Sequence, residues 1–181
     1  MFQWLSDIVL ALLEIVPRRI VIRSTHRGVK WRARRGPIEM KPGFRMWWPL
    51  LSEIEVIPVA RQTLNTPTQP LMSKDAKQVV AGGVVVYSIQ DIVKAIGERN
   101  FDVDETVNDI SQAAIVEVIT AWDFHDLLKN ICGEVEEDLT DNCRKQLRQY
   151  GVYVHRAALN VFSHGRTLNI TGVELSVVLP E

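Results

Sequence analysis

Cysteine is scarce in this chain of 181 residues, which contains only Cys132 and Cys143. If both lay on one helix, the helical rise would separate their backbones by about 16 Å, too far for a disulfide. The sequence therefore predicts no disulfide framework.

Patterns of catalytic and metal-binding residues are also missing. The four histidines share no metal-ligand spacing with one another or with the cysteines, and no CxxC, HExxH, GxSxG, P-loop or dinucleotide-binding pattern occurs. We interpret Ser163-His164-Gly165 as a turn between two strands rather than as a nucleophile with its base. The sequence thus predicts no enzyme, no cofactor and no metal site.

A membrane-spanning helix needs about 20 apolar residues, and the chain has no such run. Residues 1–16 come closest, but they include Asp7 and Glu14. On a helical wheel these carboxylates and Gln3 share one narrow strip, and large apolar side chains cover the rest. Two interpretations stay open: an amphipathic helix packed on protein, or a helix lying in the lipid interface. In the second, the lipid-contacting residues are Phe2, Trp4, Leu5, Ile8 and Leu12, followed by the headgroup-binding Arg18 and Arg19.

Acidic residues are rare in the first quarter of the chain. Residues 1–45 hold ten Lys/Arg and three Asp/Glu, which gives +7, whereas the remaining 136 residues hold eleven and nineteen, which gives −8. Such an asymmetry indicates a polyanionic partner near the N-terminus, either lipid or nucleic acid.

Proline is absent from residue 71 to residue 179, whereas seven of the eight prolines lie between residues 17 and 70. The first third is therefore predicted to form short strands joined by turns at Gly36-Pro37 and Pro42-Gly43. Strands are predicted at residues 20–23, 28–35, 53–59, 78–89, 152–162 and 168–178. Helices are predicted at residues 92–97, from 102 or 104 towards 122, from 123, and at 134–150. Strands, then helices, then strands indicate an α+β fold.

Met46-Trp47-Trp48-Pro49 is the most aromatic segment of the chain. Two adjacent tryptophans in a strand point to opposite faces, so at most one can enter a one-sided core. Either one of them packs in the core while the other lies flat on the protein, or both tips enter a lipid headgroup region. The second alternative adds Trp47 and Trp48 to the predicted membrane-contacting residues.

Several short motifs occur in the order typical of one known domain, and together they cover about residues 22–162. They are Gly28-Val29, Pro42-Gly43-Phe44, Pro49, residues 54–63 (IEVIPVARQT), Ser73-Lys74-Asp75-Ala76 and Tyr150-Gly151-Val152. The series resembles the SPFH (band-7, stomatin/prohibitin/flotillin-like) domain, in which the fifth motif reads Thr-Lys-Asp-Gly. The resemblance implies an α+β domain with two subdomains, no catalytic residues, and lateral assembly at a membrane.

On this resemblance the chain divides into four parts. They are a membrane-associating helix (residues 1–17), a mostly β first subdomain (18–75), an α+β second subdomain (76–162) and one extra strand (163–181). The family's long coiled coil has no counterpart in these residues.

We therefore predict a non-catalytic scaffold at the surface of a lipid bilayer, with the cytoplasmic side favoured. It would self-associate into a ring or arc and organise or regulate a membrane protease or another membrane protein. One rival is a nucleic-acid-binding module that uses residues 18–35, with Trp31, Trp47 and Trp48 stacking on bases. That basic stretch is short and the rest of the chain is acidic, so we expect no nucleic acid. A second rival is a small hydrolase with a scattered triad.

Overall fold

The computed structural model describes residues 16–32, 35–96, 102–164, 166–170 and 173–177. The predicted membrane-associating helix, with Phe2, Trp4, Leu5, Ile8 and Leu12, lies outside these residues. The described backbone forms two compact units. The first belongs to Met1–Ala60 and Ile89–Phe101, and the second to Arg61–Ser88 and Asp102–Glu181.

Antiparallel sheets and helices make up the described chain, which confirms the predicted α+β class. The strands are β1 (Arg18–Ile22), β2 (His26–Arg32), β3 (Arg35–Met40), β4 (Gly43–Trp47), β5 (Ser52–Pro58), β6 (Gln62–Asn65), β7 (Gln69–Met72), β8 (Gln78–Ile89), β9 (Val152–His164), β10 (Arg166–Ile170) and β11 (Val173–Val177). The helices are α1 (Ile92–Ile96), α2 (Val103–Ala121), α3 (Phe124–Asn130) and α4 (Glu134–Leu147), the last followed by a 3-10 turn (Arg148–Tyr150).

The first unit contains a three-stranded antiparallel sheet in the order β3-β2-β5 and a separate two-stranded ribbon of β1 and β4. The short helix α1 packs on β2 and β3. Gly28 of β2 permits a close approach, because a Cβ at this position would lie 3.1 Å from Cδ1 of Ile22 in the ribbon. The buried apolar residues of this unit are Ile22, Val29, Met40, Ile89, Ile92, Ala95 and Ile96.

The predicted turn at Gly36-Pro37 is wrong. Both residues lie within β3, whose first residue, Arg35, pairs with Arg32 of β2. The single strand predicted for residues 28–35 is therefore two paired strands. Proline is tolerated in β3 because this strand forms an edge of its sheet, where a residue without an N–H group leaves no neighbouring carbonyl unpaired.

The second unit is built around β8, which pairs with β6, β7 and β9. Helix α4 packs against β9 and against α2. Gly82-Gly83 in β8 marks a close approach of this strand to its neighbours. A Cβ on Gly83 would lie 2.9 Å from Cδ1 of Ile115 and 3.1 Å from the carbonyl oxygen of Ala158.

The ends of α2 and α4 in the second unit carry residues that favour helix termini. The side chain of Asp102 accepts hydrogen bonds from the amides of Asp104 and Glu105 in the first turn of α2, and α2 ends before Trp122. Acidic residues fill the first turn of α4, where they complement the helix dipole. Gly151 ends the following 3-10 turn with φ 73°, a left-handed conformation that favours glycine.

The turn between β7 and β8 is held by the carboxylate of Asp75. It accepts hydrogen bonds from the Ser73 hydroxyl (2.5 Å) and the Phe124 amide (3.0 Å). The bond from Ser73, with further donors from Phe124 and Lys77, lowers the pKa of Asp75 to about 2. Ala76 adopts φ 58°, a left-handed conformation that glycine reaches without strain. This is the position at which the similar family motif has glycine.

The C-terminal residues differ from the single strand expected for residues 163–181. β10 and β11 are two short strands that pair antiparallel, with Leu168 opposite Leu175. A turn was also expected at Ser163-His164-Gly165. Ser163 and His164 are strand residues of β9, so the prediction is wrong for these two.

We expect Gly83→Ala to destabilise the protein by about 1–3 kcal/mol, because the added methyl group would press on the backbone of β9, which cannot move aside freely. Gly36→Ala is the matched control in another strand, since a Cβ there meets no atom within 4 Å. That control should change stability by less than about 0.5 kcal/mol. Urea unfolding followed by circular dichroism measures both, and equal midpoints for the two variants would contradict the close approach.

Candidate functional site

One face of the β1–β4 ribbon is apolar and exposed. Val21 pairs with Phe44, and Arg19 pairs with Met46. Because directly paired residues share a face and successive residues along a strand point to opposite faces, these side chains lie on one side of the ribbon. Val21, Phe44 and Met46 are 69 %, 59 % and 53 % exposed.

Trp48 follows directly after the end of β4 and is 47 % exposed. The amides of Leu51 and Ser52 both donate to its carbonyl oxygen at 3.1 Å, and the Ser52 hydroxyl does so at the same distance. This turn presents Leu50 and Leu51, which are 69 % and 63 % exposed. We call Val21, Phe44, Met46 and Trp48 the apolar face, and Leu50-Leu51 the leucine turn.

The opposite face of the ribbon is directed towards its own unit. It carries Ile20, Ile22 and Trp47, of which Ile22 is 2 % exposed and the other two are half-buried, together with the exposed Arg18 and Arg45. The two adjacent tryptophans thus differ. Trp47 lies on the side of the buried Ile22 and is half-buried, whereas Trp48 follows the paired residues and is exposed.

Cations surround the apolar face. Arg18, Arg19, Arg23, Lys41 and Arg45 are all exposed in and next to the ribbon. Residues 16–51 contain ten Lys/Arg but one acid, Glu39, and the carboxylate of Glu39 forms an ion pair with Arg27. The ribbon therefore combines exposed apolar side chains with a strong excess of positive charge, which attracts anionic surfaces.

The nucleic-acid rival needs free basic side chains beside the aromatic ones, but Arg27, on the same face of β2 as Trp31, is paired with Glu39. Trp31 pairs with Glu53, and Glu39 and Glu55 pair with Val29 on the same face. Partial burial and the neighbouring Glu53 raise the pKa of Glu55. Lys30 points to the other side of the strand. This arrangement does not combine base stacking with phosphate contacts.

The hydrolase rival needs a serine activated by a histidine, and the second unit contains one close pair of this kind. Ser88 Oγ lies 2.9 Å from Nε2 of His155. Nη2 of Arg61 lies 3.3 Å from Nδ1 of the same ring. Arginine can only donate, so Nδ1 accepts and the neutral ring carries its proton on Nε2. That proton is donated to Ser88, the reverse of what nucleophile activation requires.

A cleft of about 460 Å³ lies along α4 and β9 in the second unit, and the two arginines that line it pair with acidic residues of the same cleft. Arg156 pairs with Glu136. Arg144 bonds Asp141 and donates to the carbonyl oxygens of Val154 (2.8 Å) and His155 (3.0 Å). Among the described residues, no group of three or more His, Cys, Asp or Glu side chains is arranged to hold a metal ion.

Two further observations bear on the membrane. Within the described ranges, no helix combines the length and the apolar character needed to cross a bilayer. Of the residues predicted to contact lipid, Arg18, Arg19, Trp47 and Trp48 meet in the ribbon, although Trp47 lies on its inner face. Val21, Phe44, Met46, Leu50 and Leu51 were not predicted.

The family model for the SPFH domain / Band 7 family matches residues 20–163. An uncharacterised protein of Archaeoglobus fulgidus is 24 % identical over 127 residues, which are 70 % of this chain and 51 % of the relative. An uncharacterised protein of Methanocaldococcus jannaschii is 25 % identical over 125 residues, which are 69 % of this chain and 62 % of the relative. The matched part of the chain thus spans between half and two thirds of each of these curated relatives.

The ring of His155 should make stability depend on pH. Burial and the guanidinium groups of Arg61 and Arg144 lower its pKa in the folded protein, so the unfolded chain takes up the proton first as pH falls. We expect stability to be complete above about pH 6.5 and to decrease below it, until the folded pKa is reached. Urea midpoints measured between about pH 7.5 and pH 5.5 test this.

His155→Gln should reduce that loss of stability, because the replacement side chain does not titrate. His125→Gln, at an exposed position of α3, is the control and should retain the full dependence. If the His155 variant loses stability with falling pH as steeply as the natural chain, the lowered pKa of His155 is not the cause of the pH dependence.

Proposed function

The chain belongs to the SPFH domain / Band 7 family, and on this premise we propose that it is a non-catalytic scaffold that assembles laterally at a membrane surface and organises or regulates membrane-protein partners. The family supports a membrane-associated scaffolding role and is generally non-enzymatic. The observation that carries the proposal is the apolar face of the ribbon within its basic surroundings. Such a surface calls for a partner that is both apolar and anionic, as a bilayer surface is.

The proposed attachment begins in the segment that precedes the ribbon. Residues 1–17 would lie in the lipid interface as an amphipathic helix, with Arg18 and Arg19 against anionic headgroups. Trp47 and Trp48 were predicted to add a second contact. The residues proposed to enter the interface from the first segment are Phe2, Trp4, Leu5, Ile8 and Leu12.

Replacing Leu5, Ile8 and Leu12 together by Asn should weaken sedimentation with anionic liposomes by about tenfold or more, because three large side chains would no longer leave water. The matched control replaces Met72 and Leu128, which are exposed apolar residues of the second unit, by Asn. Unchanged sedimentation of the triple variant, with a lower melting temperature, would show that this segment packs on protein instead.

The proposed assembly is head-to-tail. The family generally oligomerises, and the opposite charges of the two parts of this chain, +7 and −8, suit contacts between one copy's basic part and its neighbour's acidic part. Repeated contacts of this kind close into a ring or extend as an arc. A membrane protease or another membrane protein is the proposed client, and the cytoplasmic side is the proposed location.

Self-association should therefore weaken as salt is added. The Debye length falls from about 10 Å at 0.1 M to about 3 Å at 1 M, which screens contacts between exposed charges. Light scattering in detergent across a salt series should show a mean mass that decreases with ionic strength. A strict monomer at low salt and high protein concentration would contradict the proposed assembly.

A further inference from the structure

We infer that the apolar face and the leucine turn form a lipid contact of their own, which enters an anionic bilayer surface with one side of the ribbon only. Trp48 takes part in this contact and Trp47 does not. Because the contact deepens the proposed membrane association, it rests on that function, but it does not depend on residues 1–17.

The shape of the ribbon supports insertion from one side. Val21 and Phe44 are directly paired, and Met46 follows Phe44 at the second position, so these three side chains form one strip, and Trp48 comes directly after the paired residues. All four are about half exposed or more, whereas Ile22 on the reverse side is buried. The reverse side is thus covered by the protein at Ile22, whereas the strip is exposed along its length.

Backbone groups of the leucine turn are already hydrogen-bonded within the protein, which suits an environment with little water. The amides of Leu51 and Ser52 and the Ser52 hydroxyl all donate to the Trp48 carbonyl oxygen. Placing Leu50 and Leu51 among lipid headgroups therefore leaves these donors hydrogen-bonded, which avoids the main cost of moving a turn out of water.

The charges of the ribbon select the kind of surface. Arg19 lies on the apolar face itself, opposite Met46, where its long side chain can keep the guanidinium group at headgroup level while its methylenes rest on the apolar strip. Arg18, Arg23, Lys41 and Arg45 add positive charge nearby. Each cation at an anionic surface contributes about 1 kcal/mol to binding, so the ribbon should prefer anionic to zwitterionic lipid.

The same charges argue against a symmetric pairing of two copies through this face. In a symmetric contact between two apolar faces, Arg19 and its basic neighbours would meet the same cations of the partner. Like charges opposed in this way weaken association. Anionic headgroups offset them, and the acyl-chain boundary accepts the apolar strip.

The decisive comparison uses the full chain and vesicles of phosphatidylcholine with and without phosphatidylglycerol. The double variant Phe44→Gln/Met46→Gln should partition onto the anionic vesicles about tenfold more weakly than the natural chain. Its melting temperature should stay unchanged, because both positions are exposed. The matched control is Leu128→Gln, an exposed leucine of α3 in the second unit, which should bind like the natural chain.

The fluorescence of the two tryptophans shows which side of the ribbon enters the lipid, which a measurement of binding alone does not show. In a full chain carrying Trp4→Phe, bromine-labelled lipid should quench part of the indole fluorescence. Adding Trp48→Phe should remove most of that quenching, whereas adding Trp47→Phe should preserve it. Equal effects of the two replacements would overturn the one-sided insertion.

The outcomes separate this contact from the function on which it rests. If the natural chain fails to bind vesicles of either kind, the proposed membrane association itself is wrong. If the natural chain binds but the Phe44/Met46 variant binds equally well, only the ribbon contact is wrong. If the Phe44/Met46 variant binds vesicles normally but forms smaller assemblies in light scattering, the apolar face is a contact between copies of the chain. Equal binding of the natural chain to both kinds of vesicle would overturn the anionic preference.

Discussion

The alternation of side chains along a strand is the constraint on which the candidate surface depends. In β1 it buries Ile22 beside Gly28 and exposes Val21, although the two residues are neighbours of equal hydrophobicity. The antiparallel register then places Phe44 opposite Val21. A shift of the pairing by one residue would exchange the faces, so the close contact at Gly28 fixes which side of the ribbon meets solvent.

Local chemistry made much of the fold predictable. Asp102 caps the start of α2, and Gly151 ends the turn after α4 in a left-handed conformation. The strand predicted at residues 78–89 has the same bounds as β8, which is rich in β-branched residues. Pro37 was misleading because an edge strand tolerates proline, and being an edge is a property of the whole sheet. The family resemblance added the predicted division into subdomains, which no local pattern contains.

The candidate site was less predictable, for two physical reasons. Residues 44–48 are nearly continuously apolar, so a period of two could not be read from them, and only the pairing with β1 assigns Trp47 to the face of Ile22. The contact of Ser88 with His155 joins residues 67 positions apart, and the contact of Arg61 with His155 joins residues 94 apart. Side chains this distant meet through sheet pairing, which single-sequence patterns do not record.

The ribbon and the second unit use charge differently, and this difference indicates where partners bind. In the second unit Arg156 pairs with Glu136 and Lys77 with Asp75, so basic side chains meet acids of their own unit. In the ribbon, the cations have almost no acid in their own segment to meet. A surface whose charges are balanced internally gains little from a charged partner, whereas one with an excess of a single sign is stabilised by an opposite surface. The excess lies beside exposed apolar side chains, so one partner surface can satisfy both features.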